Sequence, residues 1–251
     1  MVLRQARDWR ALGCQEKAER NRMISVVIPT LNAESGLAAC LSALVPATVD
    51  GLVREVVVVD GGSTDRTLLI ADQAGTRVIQ SPPGRGRQLQ AGAEAARFDW
   101  ILFVHADTML QPGWEREVAA FIERVDTGLR REAAAVFRFA LDDVGFLPRF
   151  IEAGVTLRAS ALRLPYGDQG LLIPRRLYDR IGGFRDMPLM EDVDIIRRLG
   201  RARTVVLRAT AVTSAIRYKR DGYLSRVARN LVCLTLYYSR VPPRVIARFY
   251  G

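Results

Sequence analysis

Three short runs of nearly unbroken aliphatic residues, Ile24 to Ile28, Glu55 to Val59 and Trp100 to Val104, constrain this chain more than any other feature. A strand wet on one face alternates apolar and polar residues, whereas one that is apolar throughout is buried on both faces. That requires a mostly parallel sheet with helices on either side. Helical patterns fall between the runs. Leu37, Leu41 and Leu44 recur at helical spacing, Ser63 and Thr64 are good caps for a second helix, and Gln88 to Ala96 forms a third after a short strand at Arg77 to Ile79. The expectation is an α/β domain.

After Asp107 the regular alternation fades. The pattern predicts a helix over Trp114 to Arg124, an alternating strand over Ala135 to Leu141, a helix around Phe150 to Leu162 and a loop-rich segment from Pro165 to Met190. No repeat or low-complexity linker divides the chain. The expected organisation is an N-terminal extension over 1–22, a domain over 23–220 with a nucleotide-binding half (23–110) and an acceptor-binding half (111–220), and a basic amphipathic segment over 221–251. Met23 stands directly before the first strand, and the Arg-rich extension ahead of it is read as disordered.

Composition removes several function classes. The single histidine, His105, leaves little room for Ser-His-Asp or His-zinc chemistry, and Cys14, Cys40 and Cys233 have neither the number nor the spacing of a disulfide framework or zinc site. No stretch reaches the roughly 18 to 20 apolar residues of a spanning helix, and residues 1–22 lack the apolar centre of a signal peptide. A cytoplasmic protein, or one resting on the cytosolic face of a membrane, is expected. The net charge of +10 is uneven: residues 197–251 carry thirteen basic groups and one acidic, while 23–196 carry 18 basic and 23 acidic. An acidic body argues against nucleic acid as the partner. It suits work on a metal-bound anion, with the basic C-terminus turned to an anionic surface.

Ligands of such sheets gather at the carboxyl ends of the strands, which here read Pro29-Thr30-Leu31-Asn32, Asp60-Gly61-Gly62-Ser63 and His105-Ala106-Asp107. Asp60 can accept hydrogen bonds from a base or ribose; equally, the segment can be an ordinary strand-to-helix turn. Neither Gly61-Gly62 nor Gly84-Arg85-Gly86-Arg87 has dinucleotide-fingerprint spacing, but Arg85 and Arg87 at a helix start can hold a diphosphate. Asp107 can hold a hard cation, Mn²⁺ or Mg²⁺, with His105 lending a contact. Glu191 and Asp192 open a helix, where the macrodipole alone favours them, and either can serve as a general base.

Taken together, Ser25 to Asn32, Asp60-Gly-Gly-Ser-Thr-Asp65, the Asp107 motif, Gly182-Gly183-Phe184 and Glu191-Asp192 resemble, in order and rough spacing, the inverting family 2 glycosyltransferases over about residues 23 to 215. Details such as Phe103-Val104-His105-Ala106-Asp107-Thr108 and Gly167-Asp168-Gln169-Gly170 resemble the radical-SAM/selenodomain-associated, arsenosugar-biosynthesis subgroup. The resemblance implies a GT-A fold with a Rossmann-like sheet, a nucleoside-diphosphate sugar donor, a UDP-sugar first, and a divalent metal. It implies that Pro29 and Asn32 line the nucleotide pocket, Asp60 holds base and ribose, Asp107 binds metal and Asp192 deprotonates the acceptor hydroxyl. Asp168 and Gln169 are expected near the sugar. The departure is His105, which stands where the common Asp-x-Asp motif has its first Asp. It opens a second reading, a nucleotide-binding protein of this fold without catalysis.

The acceptor, a small molecule or a lipid, is not written in the motifs. In Tyr223 to Tyr238, Leu224, Val227, Leu231, Leu234 and Tyr238 recur at helical spacing beside Arg226, Arg229 and Arg240. Such a stripe either docks on the body or makes a peripheral contact with anionic membrane.

Overall fold

The computed structural model describes residues 23–157 and 167–250. Eight strands form one sheet: β1 Ile24–Thr30, β2 Val53–Asp60, β3 Arg77–Gln80, β4 Trp100–Phe103, β5 Thr108–Leu110, β6 Ala134–Asp142, β7 Leu171–Pro174 and β8 Thr204–Ser214, in the order β3-β2-β1-β4-β7-β6-β8-β5. The pairs β1/β2, β2/β3, β1/β4 and β6/β8 are parallel; β7 runs antiparallel to both neighbours, and β5 to β8. The mostly parallel sheet expected from the aliphatic runs is therefore present. Its strand order reverses between β1 and β4, the place where a crevice opens in such sheets.

Eleven α-helices are described: α1 Glu34–Ser42, α2 Val45–Val49, α3 Thr67–Gln73, α4 Arg85–Ala95, α5 Trp114–Asp126, α6 Phe146–Leu157, α7 Arg175–Arg180, α8 Glu191–Leu199, α9 Ile216–Asp221, α10 Tyr223–Tyr238 and α11 Pro243–Tyr250. Alternation along β1 divides the core. Ile24, Val26 and Ile28 pack with Leu37, Trp114 and Ile122 from α1 and α5, while Val27 packs with Leu89, Leu177 and Ile195 from α4, α7 and α8. Each such buried side chain contributes about 1.5–3 kcal/mol. Two covered faces explain why the strands are apolar throughout.

Several expectations need correction. Helix α3 starts at Thr67, not near Ser63 and Thr64, because those residues are committed to the loop. Asp65 takes the cap role: its Oδ1 accepts the Thr67 N–H at 3.0 Å and its Oδ2 accepts the Glu34 N–H at 3.1 Å, while Glu34 returns the favour to the Arg66 N–H. The segment read as loop-rich contains β7 and α7. Strand β7 is four fully buried residues, too short for a periodicity to register. Strand β8, which no pattern predicted, is the longest in the sheet. The extension over 1–22 and the end of the helix expected over Phe150 to Leu162 lie outside the described residues.

The C-terminal stripe docks only in part: Val227 and Leu234 pack on the body, while Leu224, Leu231 and Tyr238 stay exposed. Cys233 and Tyr237 of α10 and Ile246 of α11 are buried against Val193 of α8, and Val227 packs on a cluster of Phe139, Leu141, Ile151 and Tyr218. Among the described residues no helix is long and apolar enough to cross a membrane.

Candidate active site

At the tips of β1 and β4 a crevice of about 380 Å³ is lined by Pro29, Asn32, Arg85, His105, Asp107 and Arg217, among others. The loops after β1 and β2 are stitched together. Asn32, in the left-handed region at φ 50°, donates its N–H to Ser63 Oγ and accepts the Thr64 N–H on Oδ1, both at 2.9 Å. Gln88, buried on α4, donates to the carbonyls of Thr30 (2.7 Å) and Val59 (2.8 Å), binding the two strand tips to the helix.

Asp60 is not at the crevice surface. It is fully buried, and its carboxylate accepts the N–H groups of Gly62 and Ser63, each at 2.9 Å, and the hydroxyls of Ser63 and Thr30 at 2.5 and 3.2 Å. Burial alone would raise its pKa, but the hydrogen bonds from Ser63, Gly62 and Thr30 outweigh it and hold the carboxyl below its ordinary value. The carboxylate expected to meet base and ribose is thus engaged by its own turn in this structure. The reason is local: after Asp60 the chain turns so sharply that its own donors reach the carboxylate first.

Two glycines allow close approaches that set the site. A Cβ on Gly36 would lie 2.9 Å from the Ala106 carbonyl oxygen and the Asp107 Cα, so α1 can seat directly against the Asp107 turn. A Cβ on Gly86 would lie 2.3 Å from the Arg185 carbonyl oxygen, so α4 meets the loop leading to α8. That contact brings Arg85 within 3.4 Å of Glu191 Oε1.

His105 Nδ1 faces Asp168 Oδ1 at 3.3 Å. Burial would raise the Asp168 pKa, but its hydrogen bond with His105 and the charges of His105, Arg85 and Arg217 bring it down to about 2. Asp107 faces Arg217, 3.7 Å away, delivered by the end of β8, where the Ser214 N–H donates to the Asp107 carbonyl at 3.0 Å. Glu191 is 2% exposed and, among the described residues, its Oε1 has no hydrogen-bond partner; burial pushes its pKa up despite Arg85. Asp192, one position along α8, is half-buried and lines a smaller cavity with Arg85, Asp168, Arg217 and Asn230. Arg85 and Arg217 line both spaces, so the crevice of Asp107 lies next to that of Asp192.

The other expected residues divide. Arg85 sits in the crevice. Arg87 is turned away to pair with Asp186 at 2.8 Å, so the pair of arginines expected on a diphosphate is corrected to Arg85 alone. Gln169 is 1% exposed and its amide donates to the Phe137 carbonyl at 2.9 Å, which fixes the turn carrying Asp168 and leaves that group unavailable to a sugar. Sequence reasoning missed Arg217, Gln88 and Asn230. For Arg217 a signal existed, since it follows the end of a strand, as Asp107 does.

Among the described residues no group of three or more His, Cys, Asp and Glu side chains forms a metal cage. The donor set still fits a hard divalent cation, which is commonly held by one or two carboxylates with the rest of its shell from waters and substrate phosphates. Asp107 supplies the carboxylate. With Nδ1 of His105 facing Asp168, Nε2 is left as the second donor.

The family profile described as Glycosyl transferase family 2 matches residues 25–136. Over that stretch, a little under half of its length, the chain is similar to this family. A glucosyl-3-phosphoglycerate synthase of Mycolicibacterium paratuberculosis is 39% identical to it over 101 residues, 37% of this chain and 30% of that one. A PGL/p-HBAD biosynthesis glycosyltransferase of Mycobacterium bovis is 39% identical over 108 residues, 40% and 41% of the two chains. The chain thus spans less than half the length of the curated relatives it matches. Among solved structures, S. aureus TarS 1-349 superposes with TM-score 0.61 at 21% identity, covering 84% of this chain and 64% of that one. The glucosyl-3-phosphoglycerate synthase of Mycobacterium tuberculosis, in complex with Mn²⁺ and UDP-glucose, gives TM-score 0.57 at 22% identity over 92% and 83%. The chain therefore shares a GT-A fold with these structures while differing from them in most residues.

Proposed function

We propose that this protein is an inverting glycosyltransferase that moves a sugar from a UDP-sugar to the hydroxyl of an acceptor, with Asp192 as general base. The observation that carries the reading is adjacency: the crevice bearing Asp107 and the space bearing Asp192 share Arg85 and Arg217 as walls. A diphosphate in the first places its sugar toward the second. Pro29 and Asn32 then border the nucleotide, Arg85 and Arg217 face its negative charge, and Asp168 is positioned by His105 beside the sugar. Asp192 removes the proton from the acceptor hydroxyl; the oxygen forms a bond to the anomeric carbon as the bond from that carbon to the diphosphate oxygen breaks, and the nucleoside diphosphate leaves. Asp107 and His105 would hold Mn²⁺ or Mg²⁺, which neutralises the charge that develops on the departing diphosphate.

The M. tuberculosis relative was solved with Mn²⁺ and UDP-glucose, which favours uridine and manganese here. The finer kinship, with the radical-SAM/selenodomain-associated subgroup, rests on the His105 to Thr108 and Gly167 to Gly170 motifs. Calorimetric titration of UDP and GDP, with and without Mn²⁺, against the protein and Asp107→Ala tests the donor assignment. Metal-dependent UDP binding that weakens at least about tenfold in the variant is the expected result. Equal affinity with and without Mn²⁺ would favour the non-catalytic nucleotide-binding reading, which the His105–Asp168 pairing in the metal motif prompts.

A further inference from the structure

An apolar groove of about 380 Å³ runs between α6 and α10. Its walls include Phe150, Ile151, Val155, Leu224, Val227 and Leu231. Several of these are far from buried: Phe150 is 65% exposed, Leu224 69% and Leu231 55%, and Phe146, stacked on Phe150 at 6.2 Å between centroids, is 80% exposed. Scattered apolar residues on a surface are ordinary, but a contiguous apolar groove with exposed aromatics at its margin marks a binding site.

The position of the groove identifies its occupant. Asp168 and Asn230 line both the groove and the space that holds Asp192. The end of the groove marked by Asp168 and Asn230 is therefore the one that adjoins the space of the proposed base. Polar and cationic groups, Arg217, Arg226 and Asn230, surround that end, while the groove beyond it is walled by Phe, Leu, Ile and Val. Such a polarity gradient matches an amphiphile with its head at Asp192 and its tail between the helices; a small, highly charged acceptor would leave those walls unused.

We infer that the acceptor is a lipid alcohol, its hydrocarbon chain seated between α6 and α10 and its hydroxyl presented to Asp192. This inference rests on the proposed function for the meaning of Asp192, and it assigns α10 a second task beyond docking on the body. Leu224, Leu231 and Phe150 grip the chain; Asn230 and Asp168 mark where chain gives way to head.

The test is calorimetric binding of glycerol monoethers with hexyl, octyl, decyl and dodecyl chains, each below its micelle concentration. It is run on the wild type and on a Leu224→Glu/Leu231→Glu double variant, with UDP titrated separately. Affinity should climb roughly three- to fourfold per added methylene until the groove is filled, the gain expected when each methylene leaves water. The double variant, whose two changes lie at exposed positions and should leave the circular dichroism spectrum intact, should lose at least about tenfold of the decyl ether affinity. Affinity independent of chain length, or equal in the variant, overturns the inference. So does a wild-type dimer in sedimentation that the variant splits, since the groove would then be a contact between two copies. Chain-length-dependent binding without UDP binding would support the groove and break the donor reading; UDP binding without any ether binding would do the reverse.

Discussion

At the donor end of the crevice most walls come from strand tips and the loops just after them, Pro29 and Asn32 at the end of β1 and His105 and Asp107 after β4, with Arg85 added by the start of α4. At the acceptor end Asp168, Asp192, Arg217 and Asn230 come from a turn and three different helices, brought together by the antiparallel strand β7 and the docking of α10. The family profile stops at residue 136, inside β6, so it covers the donor end and none of the acceptor residues just named. A nucleotide diphosphate has one shape and charge to recognise, and short, reciprocally hydrogen-bonded loops suffice. An acceptor site has to change with its substrate, and packing of separate elements allows that without disturbing the donor loops.

The largest effect should come from Asp192→Asn, which preserves shape and removes the base. Turnover should fall by about 10² to 10⁴ while UDP affinity is retained; a nucleotide affinity that falls with it would erase the distinction between the two ends. Gly86→Ala probes the seam where α4 of the donor half meets the loop before α8. Because the new methyl would meet the Arg185 carbonyl, a loss of about 1–3 kcal/mol in urea unfolding is expected.

Acidification should loosen the Asp60 turn. The folded pKa of Asp60 lies below its unfolded value of about 3.9, so its contribution is complete above that value and is lost as pH falls through the folded pKa. The wild type should therefore lose more stability below about pH 4 than Asp60→Asn does, as read by urea midpoints. The smallest change should be Arg176→Ala. Arg176 pairs with Asp126 and Glu132 on the exposed edge away from the crevice, so about 0–1 kcal/mol and an unaltered UDP affinity are expected; a shift in UDP affinity would mean that the donor site extends to that edge.

The donor end was legible because its residues are adjacent in the chain to strands that announce themselves by unbroken Val and Ile. Legibility there concerned place more than role: Asp60 and Gln169 look like ligand contacts in sequence, and both spend their polar atoms inside the protein. Arg85 and Arg87, two residues apart, look equivalent, yet a helix turns them to different sides, one to Glu191 and the other to Asp186. Strand β7 escaped notice because four buried residues carry no period. Helix α10 did show its stripe, without showing which part of it would be covered.

The sequence by itself determined the parallel sheet, the strand tips and the order of the donor motifs, because burial on two faces and turn chemistry are local properties of the chain. The tertiary structure alone decided that Arg217 meets Asp107, that Glu191 is buried beside Arg85, and that an apolar groove between α6 and α10 shares Asp168 and Asn230 with the space lined by Asp192. Those facts depend on which distant faces pack together, and hydrophobic packing specifies a contact only once both partners are in place.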